Sequence, residues 1–146
     1  MAQVMSPQNP AIKLIRSLAE KKFRQETGLF VAEGWEMLER ARKMGWTPEH
    51  LVSTEPVAAW GQTRPILVTE KVMEGLSGQN NPHNVVATFG QRYVGDVTAN
   101  GVWIALEDMR DPGNLGTIIR TADAVAASGV ILVGQSCDPY SSDCVR

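Results

Sequence analysis

The chain has 146 residues, of which 43% are apolar and 21% are charged, and its formal net charge is −2. This length and composition predict one or two small globular domains. No apolar run approaches the ~18 residues that span a membrane, and the N-terminus lacks the apolar segment of a signal peptide. We therefore expect a cytoplasmic protein that does not enter a membrane.

The cysteines and histidines give no indication of a metal site. Cys137 and Cys144 lie close together in the sequence, but without secretory features free thiols are the expected state. His50 and His83 lie far from them and show no ligand spacing, which argues against a bound metal. Both histidines are expected in ordinary surface or turn positions.

The first distinctive segment is Pro10–Arg24, which is strongly basic within a mildly acidic chain. It carries one acid, Glu20, and five basic residues: Lys13, Arg16, Lys21, Lys22 and Arg24. We predict a helix with Ile12, Ile15 and Ala19 along one apolar side. A local cluster of this kind can neutralise backbone phosphates, but charge alone is equally compatible with a solvated surface helix.

Residues 28–89 alternate between strand and helix patterns and predict a small α/β domain. The predicted strands are Leu29–Val31, His50–Ser53, Pro65–Val68 and Asn84–Thr88. The predicted helical segments are Glu33–Met44, Pro56–Trp60 and Glu70–Leu76. Glu33 is expected to begin its helix, where the dipole favours a carboxylate, and Gly45 is expected to end it in a left-handed conformation.

Three tryptophans and two polar segments complete this part of the chain. Trp35, Trp46 and Trp60 are expected in core or surface packing, with stacking on bases as the alternative. Ser77–Asn84 is rich in turn residues and predicts a loop. The stretch GQRYVGDVTANG at residues 90–101 has three glycines and predicts a linker between domains at 1–89 and 102–146.

The most informative segment is Asp111–Ala124, DPGNLGTIIRTADA, where turn residues lead into an amphipathic helix. One side of the helix is predicted to face a core and consists of Ile118, Ala122 and Val125. The other side carries Gly116, Arg120 and Asp123. The helix N-terminus and the Arg120 guanidinium both favour an anionic ligand. Asn114 as an N-cap, and Arg120 in an ion pair with Asp123, are the structural alternatives.

Apolar runs of strand length flank this segment, at Val102–Leu106 and Val130–Val133. Strand, helix and strand in this order predict a βαβ unit with parallel strands. Ligands of such sheets bind beyond the carboxyl ends of the strands, where the loop Glu107–Gly116 is expected.

The segment DPGNLGTIIRTADA closely resembles the first signature motif of the SpoU class of RNA 2′-O-ribose methyltransferases. Cys137–Tyr140 with Val145-Arg146 is similar to the segment that follows that motif. Asn9-Pro10, the basic helix and Gly28–Gly34 resemble the substrate-binding domain that often precedes it. The motif departs from the family at Val125–Ser128, where a glycine is common.

The resemblance implies methyl transfer from S-adenosylmethionine to a ribose 2′-hydroxyl of rRNA or tRNA. Arg120 matches the family's catalytic arginine, with two roles open: the base that removes the hydroxyl proton, or a clamp on the adjacent phosphate, which asks less of a guanidinium. Asn114 matches the motif asparagine, whose implied role is to orient Arg120 or to hydrogen bond the substrate. Glu33 matches a Glu-Gly pair that suggests an RNA-facing or interdomain contact. The basic residues of Pro10–Arg24 are then expected to bind RNA.

The family's remaining motifs build a trefoil knot that holds S-adenosylmethionine and much of a homodimer interface, and they would lie beyond Arg146. We therefore expect a fragment with no cofactor-binding residue, inactive by itself, with a less stable second domain whose strand edges favour self-association. Two alternatives stay open. One is a non-catalytic RNA-binding module, and the other is an α/β protein that binds a nucleotide or phosphometabolite.

Overall fold

A computed structural model describes residue 3 and residues 6–146 of the chain. It divides into two compact units, Met1–Gln91 and Arg92–Arg146. The first unit contains α1 Pro10–Ser17, α2 Lys21–Thr27, β1 Leu29–Glu33, α3 Trp35–Lys43, β2 His50–Ser53, β3 Pro65–Leu67, α4 Glu70–Leu76 and β4 Val85–Gly90. The second contains β5 Trp103–Glu107, α5 Pro112–Ala124, β6 Gly129–Val133 and α6 Ser142–Val145. The predicted α/β class is confirmed.

The first unit is built on a four-stranded sheet with the order β1-β4-β2-β3. β4 runs antiparallel to both of its neighbours, while β2 and β3 are parallel. The first five residues of β4, Val85 to Phe89, are all buried, because the sheet is covered on both faces. This explains why the strand reads as a continuous apolar run instead of an alternating one.

Helices cover one face of this sheet and aromatic rings cover the other. On the helical face, Ile12 and Ile15 of α1 pack with residues of α4 and with Val52 and Val86 of the sheet. On the aromatic face, the ring centroids of Phe30, Trp46 and Trp60 each lie within 6.0 Å of the Phe89 centroid. The Phe30 and Trp46 centroids are also 5.8 Å apart. Trp46 and Trp60 therefore have packing roles in the core, as expected for most tryptophans.

The basic segment forms two helices, so the prediction of one helix over Pro10–Arg24 is wrong. Asn9 caps the start of α1 by accepting hydrogen bonds from the Ala11 and Ile12 amides. The helix ends after Ser17. Ala19, which was predicted on the apolar side, is exposed, and the preceding Leu18 is buried instead, at 2% exposure. Leu18 is the C-cap of α1, and a second helix, α2, begins at Lys21.

Two further predictions in this unit are wrong in detail. Glu33 does not begin a helix, because it is the last residue of β1 and Gly34, with a φ of 96°, separates it from α3. Gly45 does follow α3 with a φ of 77°, as predicted. Residues 56–60 contain no helical turn. Trp60 instead pairs with Thr63 in an isolated bridge and packs on Phe89.

The second unit contains the predicted βαβ arrangement. β5 and β6 are parallel, with Trp103 opposite Gly129 and Glu107 opposite Val133, and α5 connects them. Val102 lies outside β5 and is 69% exposed. Residues 92–102 form neither helix nor strand, although the Tyr93 and Tyr140 rings pack edge to face at 5.4 Å.

None of the helices that the structure describes is long and apolar enough to cross a membrane.

Candidate functional site

The helix α5 begins one turn earlier than the turn chemistry of Asp-Pro-Gly-Asn predicts. Pro112 is its first residue, a position that suits the fixed φ and missing N–H of proline. The Asp111 carboxylate accepts a 2.9 Å hydrogen bond from the Asn114 amide, so Asp111 and not Asn114 is the N-cap. Because a carboxylate already occupies this helix end, the geometry does not support the prediction that the helix end attracts an anion.

Arg120 lies in the third turn of α5 with its side chain exposed. Among the described residues it forms no hydrogen bond and no ion pair, so the alternative pairing with Asp123 is not made. The nearby Thr117 and Thr121 hydroxyls donate to the backbone of α5 itself. The guanidinium is therefore an exposed positive charge on α5 that is available to an anionic ligand.

Asn114 is exposed in the first turn of the same helix. Arg120 follows Asn114 by six positions in the helix, which corresponds to about 9 Å along the axis and about 120° around it. The two side chains do not hydrogen bond to each other within residues 6–146. Asn114 therefore does not orient Arg120 directly, and its free amide faces solvent.

The buried side of α5 agrees only in part with the predicted one, because Ala122 is buried as predicted and Ile118 is half-buried. Leu115, Gly116 and Ala122 are buried, whereas Val125 is 69% exposed. A Cβ on Gly116 would lie 2.8 Å from the Cys144 carbonyl oxygen, so this glycine allows the segment of α6 to approach the helix closely. The prediction that placed Gly116 on the polar side missed this contact, which joins residues 28 positions apart in the sequence.

The loops at the carboxyl ends of β5 and β6 bind to each other. Asp108 adopts a φ of 50°, and its carboxylate accepts a 2.7 Å hydrogen bond from the Gln135 amide. The Asp108 amide donates to the Val133 carbonyl, and the Cys137 amide to that of Met109. These hydrogen bonds join the two loops to each other.

The two cysteines are free thiols. Burial raises the pKa of the Cys144 thiol to about 11, with smaller contributions from Cys137 and Asp138. A thiol with this pKa is protonated near neutral pH and is a poor nucleophile and a poor metal ligand. Within residue 3 and residues 6–146, no group of three or more His, Cys, Asp and Glu side chains is placed to hold a metal ion.

Four of the five predicted phosphate-binding residues in the first unit are exposed: Lys13, Arg16, Lys21 and Lys22. The Arg16 guanidinium also donates to the Pro7 carbonyl at 3.1 Å. Arg24 is a correction, because it is 5% exposed and donates to the Leu18 and Ala19 carbonyls at 2.9 and 3.0 Å. Its charge caps the end of α1 and does not face solvent.

Glu33 and His50 also have hydrogen-bond partners within the fold. The Glu33 carboxylate accepts hydrogen bonds from the Ser77 hydroxyl at 2.7 Å and from the Gly78 amide at 3.3 Å. The Nδ1 atom of His50 lies 2.7 Å from the Thr88 hydroxyl. These pairs are 38 or more residues apart in the sequence, so local patterns carry no signal for them.

Comparison with known proteins matches both units to described families. Residues 9–87 match the model of the MRM3-like substrate binding domain, and residues 101–146 match that of the SpoU rRNA Methylase family.

Three relatives illustrate the match. The whole chain aligns at 32% identity with an uncharacterized tRNA/rRNA methyltransferase of Synechocystis and covers 58% of it. It aligns at 30% identity with the 23S rRNA (guanosine(2553)-2′-O)-methyltransferase of Bacillus subtilis and covers 60% of that protein. An rRNA methyltransferase of Sinorhizobium meliloti, whose crystal structure contains AdoMet, superposes with a TM-score of 0.87 at 42% identity.

That alignment covers 99% of this chain and 59% of the S. meliloti chain, so the chain spans about 60% of the length of the relatives it matches. The substrate-binding model alone accounts for more than half of the 146 residues. The chain therefore belongs to the SpoU family of rRNA methylases, with an MRM3-like substrate-binding domain in its first unit.

Proposed function

We propose that this chain serves in an RNA 2′-O-ribose methyltransferase that acts on rRNA or tRNA. The observation that carries the proposal is Arg120, an exposed cation without a partner among the described residues, on the helix that bears the family's motif. The B. subtilis relative is a 2′-O-methyltransferase of 23S rRNA, and the Synechocystis relative is described as acting on tRNA or rRNA.

The proposed role of Arg120 is to bind the phosphate next to the target ribose. A guanidinium is a planar donor that matches phosphate oxygens and a poor proton acceptor. The same group stabilises the negative charge that develops on the 2′ oxygen as its proton leaves. Asn114 is proposed to hydrogen bond the substrate, because its side-chain amide is exposed one and a half turns away on the same helix.

The first unit is proposed to supply RNA affinity. Its exposed cations Lys13, Arg16, Lys21 and Lys22 suit phosphate contacts. We place the substrate domain at residues 1–89, the linker at 90–101 and the first part of the catalytic domain at 102–146. Residues 1, 2, 4 and 5 of that first domain lie outside the described residues.

AdoMet is the proposed methyl donor, since the S. meliloti relative binds it. We assign no adenosyl contact to the described residues, because the loops after β5 and β6 satisfy each other. A homodimer is proposed for the complete enzyme. Each strand of the β5-β6 sheet has an edge without a partner among the described residues, a feature that favours association. We propose the cytoplasm as the location of the enzyme, because rRNA and tRNA substrates are found there.

The test joins residues 1–146 to the part of the S. meliloti relative that this chain does not match. Methyl transfer from labelled AdoMet to rRNA and tRNA is measured, and 2′-O-methylation is identified by resistance of the adjacent bond to alkali. Arg120→Lys keeps the charge but loses the planar fork, so we expect transfer to fall by about a hundredfold, the effect of losing one transition-state donor.

Arg110→Lys is the matched control, because Arg110 is also exposed and lies just before α5. It should leave transfer unchanged. Full activity in Arg120→Lys would refute the role of Arg120. A chimera that binds RNA but transfers no methyl group would favour the alternative of a non-catalytic RNA-binding module.

A further inference from the structure

The loop that connects α4 to β4, residues 77–84, is fastened at both ends to the end of β1. At its start, the Ser77 hydroxyl and the Gly78 amide donate to the two oxygens of Glu33. At its end, the Gly34 amide donates to the Val85 carbonyl at 3.0 Å. Hydrogen bonds at both ends restrict the conformations of this polar loop, which lowers the entropy cost of binding a partner there.

Two aromatic residues lie next to Gly34, His83 in space and Trp35 in sequence. A Cβ on Gly34 would lie 3.2 Å from both Cε1 and Nδ1 of His83, so the imidazole ring packs directly against the Gly34 backbone. Trp35, the next residue, is 42% exposed at the first position of α3. This differs from Trp46 and Trp60, whose rings pack in the aromatic cluster of the core.

Side-chain amides line the same loop. Gln79, Asn80 and Asn81 form no side-chain hydrogen bond within the part of the chain that the structure describes. Each amide offers both a donor and an acceptor, the combination that the edges of nucleic-acid bases present. The Glu33 carboxylate holds the start of the loop through Ser77 and Gly78, directly before the residues that carry these amides.

The charges of this region suit bases better than phosphates. Residues 33–37 and 77–84 contain no lysine or arginine, and Glu36 is paired with Arg40 at 2.8 Å. A phosphate would therefore find no lysine or arginine within these two segments. Exposed aromatic faces with neighbouring amides are instead the means by which proteins recognise unpaired bases in RNA.

We propose that Trp35, His83 and the amides of Gln79, Asn80 and Asn81 form a binding site for unpaired RNA bases, with Glu33 as the residue that positions its loop. The proposal deepens the proposed function and rests on it, because it names the substrate feature that the first unit recognises. Glu33 then acts through the loop and not as an RNA contact.

The test compares two fluorescein-labelled RNA probes, a single-stranded 12-mer of mixed sequence and a blunt 12-base-pair duplex, bound to the 146-residue chain. Trp35→Ala and His83→Ala should each weaken single-strand binding by about five- to a hundredfold, the range for loss of one stacked base. Duplex binding should stay within twofold. Trp35→Phe should restore most of the single-strand affinity, because it keeps an aromatic face.

The salt dependence separates this site from the basic helices. Loss of a stacked base removes no phosphate contact, so the log–log salt slope of Trp35→Ala should equal that of the unmodified chain. Met44→Ala is the matched control, since Met44 is a 74% exposed apolar residue at the other end of α3. Thermal melting checks that each variant folds.

The outcomes distinguish this proposal from the one on which it rests. If the unmodified chain binds both probes but the Trp35 and His83 variants keep single-strand affinity within twofold, the base-binding site is wrong and the RNA-binding function stands. If the unmodified chain binds neither probe, both proposals fall. Equal losses for single strand and duplex would also refute the base-binding site, because paired bases do not expose their faces.

Discussion

Ala126, just beyond the end of α5, adopts a left-handed backbone conformation with a φ of 54°. The Ala127 amide donates to the Ala122 carbonyl at 2.9 Å and closes the helix there. This is the position at which helices favour glycine, and it falls within Val125–Ser128, where the sequence departs from the family's common glycine. The left-handed conformation therefore stores strain at this one alanine.

Ala126→Gly should relieve this strain and stabilise the second unit by about 0.5–1 kcal/mol, the cost of a left-handed alanine less the added freedom of glycine in the unfolded chain. Hydrogen exchange of the last-turn amides of α5 measures the effect. Ala127→Gly is the control and should destabilise, because Ala127 does not have a positive φ. Equal losses in both variants would contradict the argument.

At the scale of elements, the basic helices α1 and α2 carry the electrostatic prediction. Changing Lys13, Lys21 and Lys22 to alanine should weaken binding of single-stranded and duplex RNA alike. If each lysine contacts a phosphate, the log–log salt slope should fall by about 2–3, since each contact contributes about 0.7–0.9. Affinity measured across a salt series checks this.

Lys43 and Lys71 provide the matched control, because both are exposed on helices outside the basic segment. Their alanine variants should keep the original slope. An unchanged slope in the triple variant would identify α1 and α2 as ordinary solvated surface.

The contact between α5 and α6 depends on Gly116. In Gly116→Ala the new Cβ would approach the Cys144 carbonyl oxygen to 2.8 Å, and a backbone atom cannot yield as a flexible side chain does. We expect a loss of about 1–3 kcal/mol, typical of overpacking, measured as faster hydrogen exchange over α5 and residues 141–146.

Gly75→Ala is the comparison for Gly116→Ala, because Gly75 lies in α4 with nothing within 4 Å of its Cβ position. It should stabilise the first unit by about 0.5–1 kcal/mol through the better helix propensity of alanine. If Gly116→Ala were equally favourable, the close approach of α6 would not be a constraint.

At the scale of the whole molecule, the closed loops after β5 and β6 make a prediction about the cofactor. Calorimetric titration of the 146-residue chain with AdoMet should show no saturable binding at micromolar concentration, because the amides and carboxylate there already have partners. The S. meliloti relative, whose structure contains AdoMet, is the positive control. One-to-one binding by this chain would show that residues assigned to the substrate also build the cofactor site.

Local chemistry made several elements predictable from the sequence. The helix Glu70–Leu76 has the predicted bounds, because Thr69 caps its start and its apolar residues recur at helical spacing. Gly45 follows α3 in the predicted left-handed conformation. The parallel pairing of β5 and β6 follows from two apolar runs separated by one helix, which permits no tight hairpin. The motif in α5 also predicts Arg120 as a site residue, and the structure shows that this side chain is exposed.

Tertiary structure decided which charged groups are available for binding. Arg24 belongs to the same basic run as Lys21 and Lys22, yet its burial against α1 removes it from the surface. Glu33 contacts Ser77, 44 residues away, and Gly116 contacts Cys144. Such contacts depend on how distant segments pack, and no local period or capping residue encodes them. The sequence by itself determined most of the elements, the motif and the family, while packing determined which charged side chains stay exposed.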